Sequence, residues 1–259
     1  MKLTVLGPGC WGLTLAWLMN DNFEEIVVWG RECDLNDELV NNKHCSKPLE
    51  VQLDKKVEIT SDLKKAISGA DVILSVVATS GVRSVCEQLK AAGIKPEQPL
   101  VNASKGLELN TLMRMSEVIK DVLPEQKVVI LSGPTLAKEV LQGKPTAASV
   151  ACEDMEVAEF VQKACNVPNR FRLYTNSDVI GVELGGSLKN VIAIASGFAH
   201  TMELGDNCMG TLLTRGMAEI VRLSVKLGAN PSTLYGLSGM GDLIATCSSP
   251  MSRNYTVGA

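Results

Sequence analysis

The chain has 259 residues, of which 46% are hydrophobic and 21% charged, and its formal net charge is −4. Because disordered chains combine low hydrophobicity with high net charge, this composition indicates a folded protein of one large or two modest domains. A weakly acidic chain has no basic field to attract nucleic acid or an anionic membrane surface, so we expect neither partner.

The longest apolar runs, 71–78 and 191–199, are shorter than the ~18 residues of a membrane-spanning helix. The start of the chain is too short and too broken by glycine and proline to be a signal peptide. We therefore expect a cytoplasmic protein without membrane insertion. The cysteines form no CxxC pair and do not cluster with the histidines, so we expect no metal site.

The first two thirds of the chain alternate short strand-like runs with helical patterns. Strand candidates lie at 2–7, 24–30, 56–60, 70–78, 99–104, 127–133 and 146–152. Helical stretches of about 10 to 15 residues between strands indicate right-handed βαβ units and a parallel sheet. We therefore predict an α/β fold whose N-terminal part, residues 1–178, is a Rossmann-type doubly wound sheet.

The strand pattern stops after residue 178, and apolar residues recur at helical spacing from 179 to about 228. A helix start at Pro231 and a Gly-rich break at 237–242 follow. This pattern predicts a second, mostly α-helical C-terminal domain over residues 179–259. We expect that domain to be incomplete, because it is short and no helix-stop signal precedes Ala259.

A glycine-rich turn joins the first strand to the first helix. Residues 7–12 read GPGCWG, a match to GxGxxG in the strand–turn–helix context that gives the motif its meaning. Gly7 suits the tight turn, Gly9 lets the backbone approach a pyrophosphate, and Gly12 lets helix and strand pack closely. The free N–H groups of the helix start favour an anion, so we predict a dinucleotide site over the alternative of a purely structural turn.

The end of the second strand, about 20 residues beyond the glycines, meets the adenosine ribose in dinucleotide-binding folds. Arg31 stands there in place of an acidic residue. Because a cation can pair with a 2′-phosphate, this position predicts NADP (NADPH) as the preferred cofactor. The neighbouring Glu32 keeps NAD open, and an ordinary solvated arginine is the structural alternative.

Two lysines and an aspartate carry the candidate chemistry. Lys105 follows the strand at 99–104, at the edge of a parallel sheet where ligands bind. Lys189 lies early in an apolar helix, where burial lowers a lysine pKa and allows acid–base work near neutral pH. Asp242 follows the Gly-rich break and can pair with such a lysine or serve as a plain N-cap.

Two further segments offer donors for an anionic substrate. The Gly133–Pro134 turn and a helix start at Thr135 expose free N–H groups after the strand at 127–133. Arg253 with Asn254 forms a donor set suited to a phosphate dianion.

Several segments, in this order, resemble bacterial NAD(P)-dependent glycerol-3-phosphate dehydrogenases: GPGCWG, ASKGLE, SGPTLAKEV, GVELGGSLKNVIAIASG, GDNCMGTLLTRGMAE and GLSGMGDLIATCSSPMSRN. The resemblance spans residues 1 to about 258. It implies reversible reduction of dihydroxyacetone phosphate to sn-glycerol 3-phosphate, which supplies the backbone of phospholipids. It also implies that members of the family continue for several helices beyond the last residue of this chain.

The resemblance assigns roles to individual residues, with Lys189 as the catalytic lysine and Lys105 and Asp242 beside it. The implied substrate contacts are Lys105, Gly133, Thr135, Lys189, Asn190, Asp242, Ser252, Arg253 and Asn254. Together with the glycine motif, the implied cofactor contacts are Gly7, Gly9, Cys10, Trp11, Gly12, Arg31, Lys105, Ala137 and Arg253.

Two other functions stay open at this stage. A β-hydroxyacid dehydrogenase of the related two-domain group has the same layout but places Asn four residues after the helix lysine, whereas Asn190 directly follows Lys189. A non-catalytic NAD(P)-binding sensor needs only the glycine turn and leaves the lysines and Arg253 unexplained. A homodimer is compatible with the sequence, although nothing in it requires one.

Overall fold

The computed structural model describes residues 1–259 and contains ten strands and twelve α-helices. The strands are β1 Lys2–Leu6, β2 Glu25–Trp29, β3 His44–Cys45, β4 Val51–Gln52, β5 Val57–Thr60, β6 Val72–Ser75, β7 Leu100–Asn102, β8 Val128–Ser132, β9 Thr146–Ala151 and β10 Phe171–Asn176. The helices are α1 Cys10–Leu18, α2 Asp37–Asn42, α3 Leu63–Ile67, α4 Val82–Ala92, α5 Met115–Val122, α6 Ala137–Leu141, α7 Met155–Cys165, α8 Val179–Thr201, α9 Gly205–Lys226, α10 Pro231–Leu234, α11 Asp242–Cys247 and α12 Arg253–Gly258.

Eight strands form the main sheet, in the order β10-β9-β8-β7-β6-β1-β2-β5. Neighbouring strands are parallel except at β8 and β9, which run antiparallel. The α/β sheet is confirmed, but the expectation of a fully parallel sheet is wrong at this edge. The five residues of α6 rise about 8 Å, against about 17 Å for the five residues of β8, so the helix is too short to carry the chain back along the strand.

The strand pattern in the sequence missed β10 and the two-stranded hairpin β3–β4. In β10, Phe171 and Leu173 are buried while Arg172 and Tyr174 are exposed, so the strand alternates and has no continuous apolar run. The hairpin strands have only two residues each, which is too short for any periodic signal.

Helices cover both faces of the main sheet, as a doubly wound fold requires. Leu3 and Val5 of β1 face one core, which includes side chains of α1 and α7. Leu6 faces the other core, which includes side chains of α3, α4 and α5. Successive strand residues point to opposite faces, so burial on both sides produces the nearly continuous apolar strands seen in the sequence.

The C-terminal part is helical and is built around α8. The Asp178 side chain accepts the Gly181 N–H at 2.8 Å and so caps the start of this helix. The helical pattern predicted over 179 to about 228 is divided between α8 and α9, because Glu203 and Gly205 take positive φ angles of 53° and 80° between them. α8 packs against α9, α11 and α12 and also contacts β8.

By length and composition α8 qualifies as a candidate membrane span, with a mean hydropathy of 1.3. The sequence did not predict a helix of this length, because the apolar run at 191–199 is only part of α8. The helix also includes the smaller residues that precede that run. Half of its most apolar 18-residue window is buried inside the protein, and Glu183 and Lys189 lie within the helix. These features are those of a core helix that packs against its neighbours on several sides.

Candidate active site

The glycine turn between β1 and α1 allows a ligand to approach the backbone closely. Gly7 has a φ of 107°, and a Cβ there would lie 3.1 Å from the Val76 carbonyl oxygen. A Cβ on Gly12 would lie 2.1 Å from the Gly7 carbonyl oxygen, whereas a Cβ on Gly9 would meet nothing within 4 Å. No side chain caps α1, so its first N–H groups are free and face the open space at Gly9. This cradle suits the pyrophosphate of a dinucleotide.

Cys10 and Trp11 begin α1 beside this turn, and both are partly exposed. The Trp11 ring packs edge-on against Phe171, with 6.3 Å between ring centroids. Ala137 begins α6, which contacts α1. Three of the predicted cofactor contacts thus belong to elements that border the turn.

Arg31 lies just past the end of β2. A Cβ on the preceding Gly30 would lie 2.7 Å from Pro8 Cγ, so this backbone passes directly beside the glycine turn. The Arg31 side chain is 66% exposed and forks onto the Asp34 carboxylate, with 2.7 Å from Nε to Oδ2 and 2.8 Å from Nη2 to Oδ1. This contact holds the pKa of Asp34 below its usual range.

A single buried carboxylate joins the two predicted lysines. Asp242 is 2% exposed, and its Oδ2 accepts a hydrogen bond from Lys105 Nζ at 2.6 Å. Its Oδ1 accepts one from Lys189 Nζ, which also donates to Thr246 Oγ1 at 2.6 Å. Lys105 Nζ donates in addition to the Gly133 carbonyl oxygen at 2.9 Å. Lys105 lies in the loop after β7 and Lys189 lies within α8, and neither ammonium is a freely solvated surface group.

The environment of Lys189 tunes its acidity. The pKa of Lys189 is lowered to about 8, first because the side chain is only 7% exposed and the charged ammonium loses its hydration. The positive charge of Lys105 also lowers this pKa, while Asp242 and Cys247 act in the opposite direction. A lysine with a pKa of about 8 can both donate and accept a proton under physiological conditions.

A π-helical turn at Leu237–Gly241 leads directly into α11 and positions Asp242. The Gly-rich segment is thus a wide helical turn, where the sequence predicted a break. A Cβ on Gly239 would lie 1.9 Å from the Leu234 carbonyl oxygen, so the turn requires glycine at that position. The N-cap reading of Asp242 is wrong, because its carboxylate binds the two lysines and caps no helix.

Gly186 lets α8 pack closely against the carboxyl edge of the sheet, so that Lys189 lies at that edge. A Cβ on Gly186 would lie 2.5 Å from Ser132 Oγ at the end of β8 and 3.6 Å from Lys105 Cδ. Ser187 accepts a hydrogen bond from the Gly106 N–H at 2.9 Å, which ties α8 to the turn that carries Lys105. Because Gly186 allows this approach, the helical and sheet parts meet at the lysines.

The remaining predicted substrate residues lie in a loop, at the start of α12 or, for Asn190, within α8. Ser252 caps α12 and accepts the Tyr255 N–H at 3.3 Å, while Arg253 is exposed and takes part in no salt bridge or hydrogen bond within the protein. Asn254, Asn190 and Thr135 are partly exposed. The Thr135 hydroxyl donates to the Gly133 carbonyl oxygen at 3.2 Å. The guanidinium of Arg253 therefore keeps its full set of donors.

Thr246 and Asp34 are site residues that the sequence reasoning missed. Thr246 lies four residues after Asp242 on α11, so the two side chains share one helix face and their oxygens are 3.3 Å apart. That spacing was a usable signal once Asp242 was singled out. The role of Asp34 depends on a short 3-10 turn at Glu32–Asp34, for which the sequence carried no clear pattern.

Two family models account for nearly the whole chain. One is described as the N-terminus of NAD-dependent glycerol-3-phosphate dehydrogenase and matches residues 2–158. The other is described as the C-terminus of the same enzyme and matches residues 178–259. This chain belongs to that family.

Individual members of the family agree with this assignment. A glycerol-3-phosphate dehydrogenase (NAD(P)+) from Thermoanaerobacter sp. (strain X514) is 45% identical over 258 residues, which cover 100% of this chain and 77% of that protein. The crystal structure of glycerol-3-phosphate dehydrogenase from Coxiella burnetii is 34% identical, with a TM-score of 0.90 over 99% of this chain and 78% of the other. The enzyme from Saccharomyces cerevisiae is 25% identical, with a TM-score of 0.85 over 100% and 80% of the two chains. The family resemblance seen in the sequence is confirmed.

Proposed function

We propose that this chain is an NAD(P)-dependent oxidoreductase that interconverts dihydroxyacetone phosphate and sn-glycerol 3-phosphate in the cytoplasm, for glycerophospholipid synthesis. The observation that carries the proposal is the buried Asp242 carboxylate, shared by Lys105 and Lys189 at the carboxyl edge of the sheet. Membership of the glycerol-3-phosphate dehydrogenase family supports the choice of substrate.

The cofactor is held at the glycine turn and the elements beside it. Its residues are Gly7, Gly9, Cys10, Trp11, Gly12, Arg31, Lys105, Ala137 and Arg253. The open space at Gly9 and the uncapped start of α1 support pyrophosphate binding there. When bound, the nicotinamide cofactor supplies or accepts the hydride. NADPH is the preferred form, because Arg31 is a cation at the position of the adenosine ribose.

Lys189 is the proton donor and acceptor. In the direction of reduction its ammonium gives a proton from Nζ to the oxygen of the former carbonyl group, which becomes the hydroxyl of the product. In the direction of oxidation the neutral amine takes that hydroxyl proton back. A pKa of about 8 supports both roles, because neither protonation state is strongly disfavoured near neutral pH.

Lys105 and Asp242 prepare the reacting oxygen for this transfer. Lys105 carries a second positive charge beside Lys189 and holds the carbonyl oxygen, where negative charge develops during reduction. Asp242 orients both ammonium groups, and the Thr246 hydroxyl gives Lys189 a second fixed partner. Two defined contacts restrict the rotation of the Lys189 side chain and keep one of its protons free for the substrate.

The substrate phosphate is bound by Arg253 and Asn254, with Ser252 and Asn190 beside them. Arg253 has no partner within the protein, so its donors are available to a phosphate dianion. Gly133 and Thr135 follow β8 and lie at the same edge of the sheet.

We further propose that residues 1–178 form the dinucleotide-binding domain and that residues 179–259 form the catalytic domain. We also propose that the chain works as a homodimer, which sedimentation velocity tests.

The test of the function is NADPH oxidation with dihydroxyacetone phosphate, followed by absorbance. We expect turnover with this substrate, and little with unphosphorylated dihydroxyacetone, which lacks the group that Arg253 binds. Turnover of 3-hydroxy acids in the oxidative direction, without activity on the phosphate, would instead favour the β-hydroxyacid dehydrogenase group. Tight cofactor binding with no turnover of any of these compounds would favour a sensor.

A further inference from the structure

Arg31 and Asp34 form a closed pair at the cofactor site. Both carboxylate oxygens of Asp34 are engaged, one by Arg31 Nε at 2.7 Å and the other by Arg31 Nη2 at 2.8 Å. The Arg31 backbone N–H adds a third contact to Oδ2 at 3.2 Å. Two of the guanidinium nitrogens are thus committed to one carboxylate in a planar, two-pronged geometry, which is the geometry that also suits a phosphate.

This pair lies beside the place where the adenosine end of a dinucleotide begins. The Gly7 N–H donates to the Trp29 carbonyl oxygen at 2.8 Å, which fixes the glycine turn against the end of β2. A Cβ on Gly30 would lie 2.7 Å from Pro8 Cγ, so the residue after Gly30 leaves the strand next to the turn. Arg31 is that residue, and its side chain is 66% exposed.

We propose that Asp34 weakens the preference of this chain for NADPH by competing with the 2′-phosphate of NADPH for the guanidinium of Arg31. The proposal rests on the proposed function, because it requires a nicotinamide dinucleotide at the glycine turn.

The competition follows from charge and geometry. A 2′-phosphate carries two negative charges when ionised, and Asp34 already occupies the Nε–Nη2 edge of the guanidinium. The phosphate must therefore displace Asp34 or accept hydrogen bonds from the remaining N–H groups of Nη1 and Nη2 while the Asp34 carboxylate repels it at short range. NADH has an uncharged hydroxyl at this position, so it meets neither cost. Asp34 thus lowers the affinity for NADPH and leaves the affinity for NADH nearly unchanged.

Glu32 provides a matched control within the same turn. It is exposed, it lies next to Arg31 in the chain, and no hydrogen bond or salt bridge joins its side chain to Arg31. Replacing Glu32 or Asp34 by the corresponding amide removes one negative charge in either case. Only the replacement of Asp34 releases the guanidinium.

The experiment measures dissociation constants of NADPH and NADH by cofactor fluorescence titration at fixed ionic strength. Asp34→Asn should bind NADPH about three- to tenfold more tightly than the parent, with less than a twofold change for NADH. Glu32→Gln should change both constants less than twofold. In an Arg31→Ala background, Asp34→Asn should have less than a twofold effect, because the group under competition is gone.

Each contrary result has a distinct meaning. Unchanged or weaker NADPH binding by Asp34→Asn would overturn the proposal, since it would mean that Asp34 only orients Arg31 or plays no part. Equal gains from Glu32→Gln would also overturn it, in favour of a general charge effect. If the parent binds neither cofactor, the proposed function fails together with this inference, whereas binding of both with no effect of Asp34→Asn removes this inference alone.

Discussion

The pKa of Lys189 is set by the groups around its ammonium. Burial and the charge of Lys105 lower its pKa to about 8, while Asp242 and Cys247 oppose that change. Without the Asp242 carboxylate, the pKa of a buried lysine beside a second lysine would fall further. The carboxylate therefore keeps the lysine ionisable within the useful pH range.

The pH dependence of the two directions should have opposite signs. Reduction needs the protonated lysine, so kcat/KM for dihydroxyacetone phosphate should fall as the pH rises through about 8. Oxidation needs the neutral amine, so kcat/KM for sn-glycerol 3-phosphate should rise through the same range and level off above it. Steady-state kinetics from pH 6 to 10, roughly two pH units on either side of that pKa, check this expectation. Profiles that fall together in both directions would assign the titration to another group.

Removing the charge of Lys105 should move that profile. In Lys105→Met, the pKa of Lys189 should rise, because the repulsion that lowers it is gone and Asp242 serves one lysine only. The falling limb of the residual reductase activity should shift to higher pH, and KM for the substrate should increase. Lys90→Met, at an exposed position of α4, is the control and should leave the profile in place. An unshifted limb in Lys105→Met would contradict the electrostatic coupling.

Substitution of Lys189 itself should separate chemistry from binding. Lys189→Met keeps the apolar stem and should reduce turnover by about 100- to 10,000-fold, the range that positioned proton transfer contributes. Lys189→Arg should not restore activity, because a guanidinium holds its proton too tightly. Fluorescence titration should show cofactor binding unchanged in both variants. Turnover within tenfold of the parent would reduce Lys189 to a structural residue.

A buried ion pair joins α8 to the start of α5, about two helical turns before Lys189. Arg114 Nη1 binds Glu183 Oε2 at 2.8 Å, and the Ser116 N–H donates to Glu183 Oε1 at 2.8 Å. The Glu183 side chain is 5% exposed, so no water replaces these partners when the carboxylate is lost. The contact joins the helical part to the sheet part on the side of α8 that faces α5.

Glu183→Ala should therefore destabilise the protein by about 3 kcal/mol, since it removes the buried partner of Arg114 and leaves the Ser116 N–H and hydroxyl without their acceptor. Urea denaturation measures this change. Glu117→Ala is the matched control, because Glu117 pairs with the same Arg114 but is 46% exposed and should cost less than about 1 kcal/mol. Similar losses in both variants would show that burial is not the source of the effect.

The sequence predicted some secondary-structure elements well and others poorly. β1, β2 and β8 were found because burial on both faces makes them continuous apolar runs. The edge at β9 and β10 was wrong because strand direction depends on the length of α6, which alternation of apolar residues does not reveal. The π-helical turn at Leu237–Gly241 was missed because a Gly-rich segment is more often a loop.

In the candidate site, too, the sequence indicated local features better than contacts between distant residues. Lys105 and Lys189 were singled out from their positions in the sequence, at a strand end and within an apolar helix. Their shared partner Asp242 remained ambiguous, because its pairing joins positions 137 and 53 residues away in the chain. The fork between Arg31 and Asp34 depends on side-chain rotamers, and no spacing rule predicts it.

Cofactor binding should stabilise the whole molecule. NADPH at about 100 times its dissociation constant should add about 2.7 kcal/mol to the free energy of unfolding, if it binds only the folded chain. Gly9→Ala should remove that gain while leaving the unliganded protein as stable as the parent. Its backbone angles of −75° and 173° suit alanine, and the added Cβ meets nothing within 4 Å except the incoming pyrophosphate.

A thermal-shift experiment with and without NADPH measures these effects, and Gly12→Ala is the contrasting variant. Its Cβ would lie 2.1 Å from the Gly7 carbonyl oxygen, so the turn must distort and the melting temperature should fall even without ligand. A lowered melting temperature in unliganded Gly9→Ala, or a full NADPH shift in that variant, would contradict the assignment of Gly9 to the cofactor cradle.

The late position of Asp242 in the chain bears on the order in which the site assembles during synthesis. Lys105 leaves the ribosome with the sheet, and its acidic partner follows 137 residues later. Until then Lys105 lacks its carboxylate partner, and Lys189 and Asp242 both belong to the helical part that is made later. The three groups can therefore meet only when the helical part packs against the sheet, so assembly of the proposed site would report the docking of the two parts.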